Sequence, residues 1–151
     1  MPVQTRGPFG PLRKSIFAIL ATPVVWRASW RLLRRRHLRL DVLVEELRGV
    51  APMAEGLRRP AYLAATVDRW LWALPPWGYG RCYKRSLLLL DLWRRCGLDP
   101  VLHLGARAAK STESPPVSVD APTRRDFHAW VSTGDGGPWT SDEGHVEIWR
   151  G

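Results

Sequence analysis

Apolar side chains recur every three to four residues over the first two thirds of the chain and alternate with polar ones only in the last third. A first helical region starts near Leu12 and is expected to break or kink at Pro23, because proline lacks the amide donor and crowds the carbonyl four residues back. Trp26, Trp30, Leu33 and His37 continue at helical spacing, with arginines on the other faces. LRLDVLVEEL, Leu38 to Leu47, predicts a second helix ending near Gly49 and Pro52. In PAYLAATVDRWLWAL, Pro60 suits a first helical turn, and Leu63, Val67, Trp70, Leu71 and Leu74 form an apolar stripe. The stop signal is PPWGYG, Pro75 to Gly80.

RCYKRSLLLLDLWRRCG, Arg81 to Gly97, is a leucine-rich helix that buries one side, with Gly97 as a left-handed stop. PVLHLGAR then alternates as a short strand, and residues 108–125, polar and proline-rich, predict a long loop. FHAWVST is a second strand, and either PWTSD or HVEIW a third, with GDGG as the turn. Helices first and strands last argue for an α+β fold. Pro2, Gly7, Pro8, Gly10 and Pro11 make residues 1–11 a flexible tail, which leaves 12–151 as one domain.

A length of 151 residues fits a single core, and 45% hydrophobic with 25% charged residues is ordinary for a globular chain. The net charge of +9 sharpens this picture because it is uneven: residues 1–60 hold 12 Lys/Arg against 4 Asp/Glu, and residues 61–151 hold 11 against 10. A basic first half attracts nucleic acid, anionic lipid or an acidic protein. The apolar stretch Ile16 to Trp26 is too short to span a bilayer and lacks a small-x-small cleavage site, so a basic amphipathic segment in peripheral contact with a membrane is preferred to an export signal. Two cysteines form no disulfide framework, and in one helix Cys82 and Cys96 would lie about 21 Å apart, too far to bridge. A reducing, cytoplasmic compartment is expected.

If Cys82 enters the first turn of its helix, the amide hydrogens and the positive end of the helix dipole favour a thiolate, and Arg81, Lys84 and Arg85 add positive charge. A cysteine nucleophile needs a base. Of four histidines, His37 lies among arginines as a solvated residue, His103 sits between Leu102 and Leu104 in a structural setting, and His145 has no special neighbour. His128 shares one strand face with Trp130, and a rigid strand can hold an imidazole against a helix start. The third group should fix the imidazole tautomer. A three-residue GDG loop sets His128 opposite Asp142, and a two-residue loop brings Glu143 there instead.

CYKRSLLLLDLWRRCGLDPVLHLGAR followed by FHAWV resembles the transglutaminase-like, papain-type cysteine proteases that process lasso-peptide precursors. The likeness covers roughly Trp77 to Asp142. It implies N-terminal helices followed by a core in which a Cys-bearing helix packs on a small antiparallel sheet. It also implies Cys82 as nucleophile, His128 as base, Asp142 as orienting carboxylate and the Cys82 backbone amide as an oxyanion donor. The implied reaction removes a leader peptide with no cofactor and no metal, and frees the core amine for a separate macrolactam-forming cyclase.

Such a protease needs a separate small leader-recognition protein, because this length holds no extra binding domain beside the catalytic core. Trp26, Trp30, Arg31, Arg34 and Arg35 are the candidate docking residues for that protein or for the leader. Two rivals remain. One is a transglutaminase-type acyl transferase using the same triad. The other is a non-catalytic basic helical adaptor binding nucleic acid or anionic membrane through Arg31, Arg34, Arg35, Arg36 and Arg39, against which stands the lack of a nucleic-acid motif.

Overall fold

The structure, a computed structural model, describes residues 10–75, 80–107, 126–133 and 146–151. Among the described residues, four helices precede three strands: α1 (Gly10–Arg34), α2 (Leu40–Glu46), α3 (Pro60–Trp70), α4 (Arg81–Arg95), β1 (Pro100–Arg107), β2 (Asp126–Thr133) and β3 (Val146–Arg150). Short 3-10 helices at Leu47–Gly49 and Glu55–Leu57 link α2 to α3. The α+β order expected from the sequence is therefore present.

α4 is the central element. Every residue from Ser86 to Trp93 is buried, with Phe17, Ala21, Val25 and Leu32 of α1, Leu63 and Val67 of α3, and Leu102 and Val131 of the sheet completing one core. A helix enclosed on all sides must satisfy any polar group it carries. Asp91, fully buried, accepts from Arg31 of α1 and from Arg95 one turn on, and so fastens α1 to α4. α1 and α3 run side by side in the same direction: Phe17 packs on Tyr62, while further along Trp26 meets Trp70 edge-on at 6.3 Å and the Trp70 indole donates to the Thr22 hydroxyl at 3.0 Å.

Three boundaries differ from expectation. α1 begins at Gly10, so the last two residues assigned to the flexible tail are helical; residues 1–9 lie outside the described residues. It also runs through Pro23, which stands on the exposed face, where solvent can serve the carbonyl left without a donor. α3 ends at Trp70, four residues before Leu74, and turns bonded to the Trp70 carbonyl carry the chain on. The Lys84 ammonium then takes the Leu74 and Pro75 carbonyls at 2.9 and 3.1 Å, a tertiary partner no local pattern announces.

The sheet is antiparallel throughout, in the order β2-β1-β3. Its third strand is the HVEIW candidate, and it pairs with β1 and not with β2 as a hairpin would require. PWTSD, the GDGG turn and residues 108–125 lie outside the described residues. Gly97, at φ +85°, ends α4 as anticipated, its amide and that of Leu98 closing on the Arg94 and Trp93 carbonyls.

Candidate active site

Cys82 is the second residue of α4, half-buried and not in a disulfide. The helix opens on Gly80, extended at φ −58° and ψ 161°, with no side-chain cap, and the first intrahelical bond runs from the Lys84 amide to the Gly80 carbonyl at 3.2 Å. The amides of Arg81, Cys82 and Tyr83 therefore point out of the helix end. A side chain at Gly80 would stand 3.8 Å from the Cys82 sulfur, so the thiol lies back over this opening. Of the three cations expected around it, Arg81 is exposed, Arg85 is held in a two-pronged pair by Asp68 at 2.5 and 3.1 Å, and Lys84 turns inward. Burial, reinforced by the charge of Arg81, lowers the Lys84 pKa.

The path of the chain sets where this helix start lies relative to β2. The ladder gives the first step: Leu102 exchanges two hydrogen bonds with Gly151, at 2.8 and 3.0 Å, so its backbone groups face β3. Two residues on, Leu104 points the same way, and its partner Ala129 turns its carbonyl to the edge of β2 away from β1. There the buried Ser86 hydroxyl donates to it at 2.9 Å. Ser86, one turn after Cys82 and on the same helix face, thus fixes the first half of α4 against the edge of β2 near His128.

Direction follows from the same bond. The C-terminal end of α4 leads directly into β1 at Pro100, while its first half touches the partner of Leu104, late in β1. α4 and β1 are consequently antiparallel, α4 and β2 parallel, and the starts of α4 and β2 share one end of the molecule. Cys82 stands on the helix that packs on the Leu102–Val131 face, and His128 projects from the opposite face.

His128 is half-buried and pairs across the ladder with Gly105, which offers no side chain to crowd the imidazole. Its ring stacks on Trp130 at 6.0 Å, and on the same face Trp130 stacks on His103 at 5.3 Å. Leu102 and Val131 occupy the other face, toward the core. His103 is also joined to the Ser132 hydroxyl at 2.6 Å, in keeping with the structural setting expected for it.

Asp142, Glu143 and His145 lie outside the described residues, and with them the register that would set a carboxylate opposite His128. Among the described residues no three His, Cys, Asp or Glu side chains gather as a metal site would require. Sequence reasoning overlooked Ser86, although a serine interrupting a leucine-rich helix was the available signal, and it assigned Lys84 to the thiol where the structure turns it to the Leu74 and Pro75 carbonyls. Of the candidate docking residues, Trp26 packs on Trp70, Arg31 binds Asp91, and Arg35 pairs with Glu46 at 2.9 Å, so Trp30 and Arg34 alone among the five are exposed without such commitments. No family model matches the chain, and neither does any curated protein or solved structure compared with it.

Proposed function

We propose that the protein is a cysteine peptidase that removes the leader from a ribosomally made lasso-peptide precursor, with Cys82 as nucleophile and His128 as base. The observation that supports this reading is the Ser86–Ala129 bond, which joins the first half of α4 to the residue after His128 on β2. His128 projects from the sheet face opposite Leu102 and Val131, so this reading requires the thiol to reach the imidazole around the edge of β2 and not across the sheet. The sequence likeness supplies the rest, including Asp142 as the group that orients His128 and the transglutaminase-like character of the core.

In this mechanism the Cys82 sulfur attacks the carbonyl carbon joining leader to core, and the backbone amide of Cys82 donates to the developing oxyanion. The imidazolium of His128 protonates the departing core amine as the C–N bond breaks. The same imidazole then takes a proton from water, whose oxygen attacks the thioester and returns the thiol. The precursor leader and a separate recognition protein are the partners, the latter docking on the α1 surface at Trp30 and Arg34. The free core amine passes to a cyclase.

Incubation of the purified chain with a precursor and its recognition protein tests the reading by mass spectrometry. Release of a leader that has gained water, and no release by Cys82→Ala, is the expected result. A leader carrying an added amine indicates the acyl transferase. Undiminished cleavage by Cys82→Ala excludes a role for this thiol and leaves the basic adaptor.

A further inference from the structure

The side of α1 that faces away from the core carries Ile16, Ile19 and Leu20, exposed by 50, 71 and 57%, at spacings of three and four residues that align them in one stripe. Pro23 continues the stripe, and exposed Arg13 and Lys14 precede it while exposed Arg27 follows. From Arg13 to Arg27 this surface extends about 21 Å in a straight line. α1 contains no aspartate or glutamate. Phe17, Ala21, Val25 and Leu32 on the opposite side are locked into the core, so α1 cannot leave the fold to cross a bilayer without uncovering them.

We propose that this stripe lies on an anionic lipid surface, with Ile16, Ile19 and Leu20 in the acyl boundary and Arg13, Lys14 and Arg27 reaching lipid phosphates on either side. Charge selects this occupant. A second copy would bring two acid-free, cationic helices together, and electrically neutral lipid would leave the cations unused. Uncharged branched side chains bracketed by cations on one straight helix suit the flat boundary between headgroups and acyl chains, where long basic side chains bend toward the phosphates. Contrary to the expectation from Ile16–Trp26 alone, the helix over Arg13–Arg34 is by length and composition enough to cross a membrane, with an 18-residue window of mean hydropathy 1.3. Yet a third of that window is buried in the fold, which suits a helix lying in the boundary. Trp30 and Arg34, further along, stay available to a protein partner.

The full chain is sedimented with phosphatidylcholine vesicles that contain phosphatidylglycerol, and with vesicles of phosphatidylcholine alone. The expected result is binding to the anionic vesicles only, weakened by salt, and reduced about tenfold or more in Ile19→Glu/Leu20→Glu. Circular dichroism reports the fold of that variant, and Ile19→Ser/Leu20→Ser provides a milder change expected to weaken binding in the same direction. Absence of binding to anionic vesicles at low salt overturns the proposal. So does equal binding by wild type and the glutamate variant, which would leave only unspecific charge attraction. Self-association of the wild type that the glutamate variant abolishes, without vesicle binding, assigns the stripe to a second copy and also overturns it. Cleavage of a soluble precursor reports on Cys82 separately, so either reading can fail alone.

Discussion

The two ends of α4 hold the chain's two cysteines in opposite settings. At the first turn, Cys82 lies over a glycine opening from which amides emerge. At the last, the Cys96 amide closes on the Leu92 and Trp93 carbonyls, and burial pushes its thiol up to about 11 against a smaller opposing pull from Arg58. A helix start presents donors and a helix end presents acceptors, so the two thiols of one helix meet opposite backbone groups. The difference teaches that two cysteines of one helix can differ in setting through position and burial alone.

Replacing each cysteine should give the widest contrast. Cys82→Ala is expected to lower kcat/KM for precursor cleavage by about a thousandfold or more, and Cys96→Ala to leave it within about twofold. Next in size, Asp91→Ala leaves Arg31 and Arg95 without their buried partner and should cost about 3 kcal/mol in urea denaturation.

Ser86→Ala sharpens the comparison from one side. It leaves the Ala129 carbonyl without its helix partner, for about 1 kcal/mol of stability, and should lower kcat about tenfold while leaving Cys96 labelling unchanged. The smallest effect concerns alkali. The unfolded chain gives up the Cys96 proton in the ordinary thiol range, whereas the folded chain keeps it to about 11, so stability falls as pH rises through that window. Denaturation curves at neutral pH and at pH about 10 should show this component in wild type and lack it in Cys96→Ala.

Much of the fold was legible because its signals are local. PVLHLGAR alternates, and it became β1 with those limits; Gly97 needed a left-handed turn, and it has one. What escaped depended on distant groups. The end of α3 reflects Lys84, ten residues past Leu74, and the placement of β3 beside β1 follows from a sheet edge already met by Ser86. Cys82 and His128 were legible as residue types in suitable elements. The placement of α4 against β2 was not, because it rests on a serine hydroxyl and on strand pairing that no spacing encodes. The docking arginines show the reverse error: Arg31 and Arg35 look solvated in an arginine-rich run, yet each is taken by a carboxylate far along the chain.

The most direct test needs no substrate. Iodoacetamide labelling at neutral pH, followed site by site by mass spectrometry in wild type and in His128→Ala, measures whether the thiol at the start of α4 is coupled to the imidazole on β2. The expected result is that Cys82 is labelled well before Cys96 and is slowed about tenfold or more by the substitution, with Cys96 unchanged. Equal Cys82 rates in the two proteins, or Cys96 reacting first, would contradict the pairing on which the account stands.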